Sequence, residues 1–218
     1  MKCVRSVSIL TLIASSAAFA QTGLQEVLKA VEDRYNKPKT MQFLFQQTYS
    51  GPGRMTRTEA GELTLSKPGK MRWDYTIPAG KVFLTDGTYA WFYSPTMGRV
   101  ERTKTKESSD LRAPLAFLMG KLEFNRDFRE FRYRVENGEY HVVAKPKSDK
   151  APYDEVEFIV GTDFAIRELA VTGQDKSLMR FRFSSERQNQ KFPAGQFEFQ
   201  APKGVPVVDV KEGEEEAR

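Results

Sequence analysis

The chain has 218 residues and a formal net charge of +5; 39 % of it is hydrophobic and 29 % charged, yet it holds 16 Phe, 8 Tyr and 2 Trp. That is enough for one large domain or two small ones with a real core. A single His and a single Cys exclude a His-rich metal site, a disulfide framework and most Cys/His catalysis, so no metal and no other cofactor is expected.

Lys2 and Arg5 give the chain a short positive start, Val7 to Ala20 carries no charge, and the run ends Ala18-Phe19-Ala20. Residues 1–20 are therefore expected to be a cleavable secretory signal, too short to span a membrane and stay there. Cys3 lies before the apolar run and Gln21 follows the cleavage point, so the exported product has no cysteine to acylate and is expected to be unanchored. Loss of Lys2 and Arg5 lowers the formal charge from +5 to +3. Export leaves no nucleic-acid partner in view.

Leu24, Val27, Leu28, Val31 and Tyr35 recur at three- and four-residue intervals, with Glu26, Lys29, Glu32 and Asp33 opposite, which predicts an amphipathic helix ending near Pro38. The period then switches to two. Strands are expected at Met41–Tyr49, Gly61–Leu65, Lys70–Tyr75, Val82–Thr85 and Tyr89–Tyr93, the last two joined by an Asp86-Gly87 turn. Ser108 to Gly120 reads as a short central helix with Leu111, Leu115, Leu118 and Met119 as its apolar stripe and Pro114 within it. Further strands follow at Arg132–Val135 and Tyr140–Ala144 around Asn137-Gly138, at Glu155–Val160 and Ala165–Val171, at Ser177–Ser184, and around Phe197 and Phe199. Asp209 and Glu212 to Glu216 read as a solvated acidic tail, and Arg99, Arg102, Lys104 and Lys106 as a basic loop or a docking patch for an acidic partner.

Strands joined by hairpins form an antiparallel meander. The fold class expected is mainly β: an incomplete, half-open antiparallel barrel of about ten to eleven strands, its hollow covered by an N-terminal helix and a short central lid helix. One domain is expected over residues 21–218. Phe43, Phe45, Leu63, Leu65, Met71, Trp73, Tyr75, Phe83, Trp91, Tyr93 and Phe181 supply the barrel's interior, which is either a filled core or the wall of an apolar cavity. His141 has no evident partner, and neither Gly-x-Ser-x-Gly nor a paired-carboxylate pattern occurs, so no enzyme is expected.

Phe43-Leu44-Phe45-Gln46-Gln47, Gly61-Glu62-Leu63, Lys67-Pro68-Gly69-Lys70-Met71-Arg72-Trp73-Asp74-Tyr75, Trp91-Phe92-Tyr93-Ser94-Pro95 and the closing Phe197 to Val205, in that order, resemble the LolA family of periplasmic outer-membrane lipoprotein carriers. Pro114-Leu115-Ala116-Phe117-Leu118 is similar to that family's lid helix. The resemblance implies a soluble periplasmic shuttle, a monomer, that takes acylated lipoproteins from an inner-membrane ABC transporter and passes them to an outer-membrane receptor lipoprotein. It implies acyl-chain contacts by Leu63, Leu65, Met71, Trp73, Phe83 and Trp91, with Leu115 and Leu118 in the lid. Where the family has an arginine that ties the lid closed, this sequence has Lys67, a point donor without the planar fork. The alternative is a periplasmic regulator that senses lipid or lipoprotein with the same curved sheet.

Overall fold

The computed structural model describes residues 22–105 and 121–210. The expected lid residues Leu111, Pro114, Leu115, Leu118 and Met119 lie outside the described residues, as do the expected signal at residues 1–20 and the acidic run after Val210. Helix α1 (Leu24–Asn36) forms where the periodicity predicts it and buries Val27, Leu28, Val31 and Tyr35. The Glu26 carboxylate turns back to accept the Gly23 N–H at 3.2 Å, satisfying one of the free donors at the helix start.

The first six strands are β1 (Thr40–Gly51), β2 (Arg54–Ser66), β3 (Lys70–Ile77), β4 (Ala79–Asp86), β5 (Tyr89–Tyr93) and β6 (Val100–Lys104). A one-turn helix α2 (Phe124–Asp127) then leads into β7 (Phe128–Glu136), β8 (Glu139–Pro146), β9 (Tyr153–Val160), β10 (Ile166–Gly173) and β11 (Leu178–Gln188), and β12 (Val207–Asp209) closes the series. All twelve belong to one sheet in the order β12-β6-β5-β4-β3-β2-β1-β11-β10-β9-β8-β7. Two antiparallel meanders thus meet where β11 pairs with β1, and the sheet stays unclosed, as expected of an incomplete barrel. A sheet of this width twists and curls. The Asn137-Gly138 hairpin forms with φ of 51° and 79°, the left-handed pair a tight turn between twisted strands requires.

Three expectations are corrected. The segment around Phe197 and Phe199 is no strand: Pro193, Gly195 (φ 84°) and Pro202 break it, and it lies against the sheet as irregular chain. Of the residues read as a basic loop, Arg102 and Lys104 lie in β6, Arg99 just precedes it and Lys106 is outside the described residues; Arg99 and Arg102 are paired with Glu101 and Asp209. Asp209, read as tail, sits in β12, which adds to β6 in parallel, Val208 facing Glu101. Only Val100 is a large apolar residue in β6, so its hydrophobic signal is too thin to see, and β12 is defined by a partner about a hundred residues away.

The face of the sheet that α1 covers is the inner one. Its side chains and those of α1 and α2 form a single buried cluster running from Phe83 and Ala90 on one flank to Phe128 and Val142 on the other. Burying each large apolar side chain contributes about 1.5–3 kcal/mol, so this cluster dominates the fold's stability.

Candidate functional site

Strand pairing arranges the inner face in rows. Phe43, Leu63, Trp73, Phe83 and Phe92 face one another across β1 to β5. The next row toward the β1–β2 hairpin is Phe45, Gly61 and Tyr75, and beyond it lie Gln47 and Glu59. On the other flank Gln47 is followed by Phe181, Leu169, Phe158, Val142 and Tyr133.

The rings meet at Trp73. Phe45 stands edge-on to it with centroids 4.5 Å apart, Phe181 lies at 5.6 Å, and Tyr75 stacks at 6.4 Å. Phe45 and Tyr75 are T-shaped at 5.1 Å. Such edge-on contacts add about 0.5–1.5 kcal/mol each beyond area burial. Among the expected interior residues, Phe43, Phe45, Leu63, Leu65, Met71, Trp73, Tyr75, Phe83 and Phe181 all belong to this cluster, and each is at most 6 % exposed. The structure brings these nine side chains together as one packed apolar face.

Trp91 and Tyr93 do not join them. Strand pairing sets Trp91 opposite Leu84 and Arg102 on the outer face, and Phe92 takes the inner position opposite Phe83. The Trp91 ring stacks on Phe199 (5.4 Å, 5°), lies 5.3 Å from the Arg102 guanidinium, and donates its N–H to Asp86 at 3.0 Å. Tyr93 lines an outer groove of about 760 Å³ between β3–β5 and the segment 193–202. His141 is also on the outer face, beside Arg134 (3.0 Å) and Glu157 (3.3 Å).

Lys67 follows the end of β2 and is partly buried; its ammonium donates to the Tyr35 carbonyl in the last turn of α1. Burial pushes that ammonium below the ordinary lysine range. A cation at a helix C-terminus is favourable, so the observed tie joins β2 to α1. Nothing in the residue pattern points to Tyr35's part in this. Its carbonyl holds Lys67, its hydroxyl donates to Glu186 at 3.1 Å, and the same oxygen accepts the Ile166 N–H at 2.8 Å. The residue thus pins α1 to β10, β11 and the end of β2.

Burial pushes the Tyr35 phenol far above its ordinary range, and the nearby Glu186 carboxylate adds to the shift. Unfolded tyrosine ionises near pH 10, where the native one cannot. The unfolded chain then holds fewer protons than the native, so stability falls as pH rises through about 10. Tyr35→Phe is expected to cost about 1–3 kcal/mol at neutral pH by stripping Ile166 N–H and Glu186 of a partner. It is also expected to lose less stability than the parent between about pH 9 and 11. Urea midpoints at the two pH values check both.

Among the described residues, no group of three or more His, Cys, Asp or Glu side chains could hold a metal, and no helix is long and apolar enough to cross a membrane. The inner face therefore offers apolar contact, graded to polar groups at one end.

The model of the family described as outer membrane lipoprotein carrier protein LolA matches residues 36–200. An outer-membrane lipoprotein carrier protein of Chromobacterium violaceum is 28 % identical over 201 residues, 92 % of this chain and 96 % of that one. Its counterpart in Bordetella avium is 28 % identical over 209 residues, covering 94 % and 97 %. Among solved structures, an uncharacterized conserved protein from Thermus thermophilus shares the fold with a TM-score of 0.54 at 12 % identity, over 85 % of this chain and 98 % of that one. With the family model spanning well over half of its length, the chain belongs to the LolA family of outer membrane lipoprotein carrier proteins.

Proposed function

We propose that the chain is a periplasmic carrier that holds the acyl chains of lipoproteins against its inner face. It receives its cargo from an inner-membrane ABC transporter and delivers it to an outer-membrane receptor lipoprotein. Residues 1–20 serve as the export signal, and Leu111, Pro114, Leu115, Leu118 and Met119 belong to a lid over the acyl chains. The observation that carries the reading is the single apolar face of Phe45, Trp73, Phe83 and Phe181 in a chain of this family.

The energetics favour reversible carriage. A chain of roughly fifteen methylenes gains about 12 kcal/mol gross on burial, at about 0.8 kcal/mol per CH₂. Release would be slow if all of that were net. Trp73, Leu63 and Leu65 are already at 0 % exposure, so an entering chain must displace packed side chains. Separating them offsets much of the gain and keeps hand-off possible.

The test is mass spectrometry of the protein purified from periplasm. Polypeptides with an acylated N-terminal cysteine are expected to co-purify, and unacylated forms of the same polypeptides are not. Equal capture of both forms would overturn the reading.

A further inference from the structure

The two tryptophans of this chain are treated differently by the fold. Trp91 donates its indole N–H to Asp86 at 3.0 Å. Trp73 is 0 % exposed, and its Nε1 has no hydrogen-bond partner among the described residues. An orphaned buried donor is rare, and an indole N–H can only donate. Phenylalanine would keep the ring contacts with Phe45 and Phe181 without burying a donor. The N–H at this position is thus an unmet demand for an acceptor, set in the middle of an apolar face.

The buried ion pair of the inner face lies on one side of it. Tyr75, two residues along β3 and so about 7 Å away, donates its hydroxyl to Gln47 Oε1 at 3.4 Å. Lys81 lies 4.3 Å from the Tyr75 ring centre and donates to Glu59 at 2.6 Å. Gln47, Glu59 and Lys81 are all at most 9 % exposed. On the other side of Trp73 stand Met71, Leu65 and Met41, with the Thr85 hydroxyl beside Met71 donating to the Gly69 carbonyl, then α1. A hydrocarbon chain has no acceptor to offer the indole. The ester that joins an acyl chain to the glyceryl group of a lipoprotein has one, and it sits where chain gives way to polar head.

We propose that an acylated cargo binds in one direction, its ester carbonyl accepting the Trp73 indole N–H, its glyceryl and peptide end toward Gln47 and Lys81, and its chains toward Met71 and α1. This rests on the carrier reading above and adds to it a polarity and a recognition element for the ester. The cargo polypeptide then leaves the protein at the β1–β2 hairpin end of the sheet.

Two probes of equal length decide the matter: a dipalmitoyl-glyceryl-cysteine peptide and its dialkyl ether analogue, which lacks the carbonyls. The full chain is expected to bind the ester about tenfold more tightly than the ether. Trp73→Phe is expected to bind both with the affinity the parent shows for the ether. A parent that does not distinguish them, or a Trp73→Phe protein that keeps the preference, overturns the proposal while leaving the carrier reading intact. A parent that binds neither probe overturns both. The Trp91→Phe protein, altered only on the outer face, makes Trp73 the sole indole and covers the case in which Trp73→Phe does not fold. Its emission is expected to move to longer wavelength with the ester and not with the ether; the same response to both overturns the assignment.

Discussion

Gly61→Ala is expected to destabilise the protein by about 3 kcal/mol or more, with a matching fall in the urea midpoint. Gly61 lies in β2 between Phe45 on β1 and Tyr75 on β3, at a point where the β2–β3 register shifts. A Cβ built there would come within 2.8 Å of the Tyr75 Cα and closer still to the Asp74 carbonyl oxygen. Both are backbone atoms of the adjoining strand, so no rotamer change relieves the contact; β2 and β3 must part. Parting them breaks the ladder beneath Trp73 and separates the Phe45–Tyr75 contact that spans the glycine. Gly53 supplies the contrast. It has φ of 68° with nothing within 4 Å, so Gly53→Ala carries only left-handed strain, about 1–2 kcal/mol. Equal midpoints for the two variants would mean that the β2–β3 backbone yields, and that close approach is not what Gly61 provides.

Alternation made the inner face readable wherever polar and apolar residues took turns. Lys70 to Tyr75 does so without a break, and Met71, Trp73 and Tyr75 are the residues found inside. Trp91-Phe92-Tyr93 carries no such information, because three consecutive aromatics suit either face. The turn did carry it: counting pairs outward from Asp86-Gly87 puts the even-numbered residues of β5 on the side of Phe83, hence Phe92 inside and Trp91 and Tyr93 outside. The outer aromatics are then explained by the C-terminal segment, whose Phe199 covers Trp91. That contact joins positions about a hundred residues apart, and no local pattern encodes it. The same holds for Lys67 on the Tyr35 carbonyl: its neighbours in sequence describe a strand end and a Pro-Gly turn, and the partner is chosen by how α1 packs. Gly61 is the reverse case. The Gly-Glu-Leu motif was visible, and its physical cause, two backbones in close approach, came only with the register.

Lys81→Met is expected to cost about 3–5 kcal/mol, more than its exposed counterparts elsewhere on the sheet by a wide margin. The Lys81 and Glu59 side chains are 11 % and 5 % exposed, and their charged atoms are 2.6 Å apart. Surface pairs such as Lys29–Asp33, with side chains 66 % and 49 % exposed, are worth at most about 1 kcal/mol. The difference lies in what remains after the change. Methionine matches the lysine stem in volume but gives up the ammonium's place over the Tyr75 and Phe92 rings, and it leaves the Glu59 carboxylate in a buried site, opposed among the described residues by the exposed Arg57 at 3.3 Å. The cost is therefore that of a stranded charge, and removing the second partner should recover part of it. Glu59→Leu combined with Lys81→Met is expected to be more stable than Lys81→Met alone, giving a coupling of about 0.5–3 kcal/mol, the range found for residues in direct contact. A double variant no more stable than the single one would place the cost in the ammonium's lost contact with the two rings instead. The pair stands at the polar end of the inner face, where hydrophobic replacement would be the simpler way to build a stable core. It lies one row beyond Tyr75, at the end of the face that the proposed cargo orientation gives to the glyceryl and peptide part.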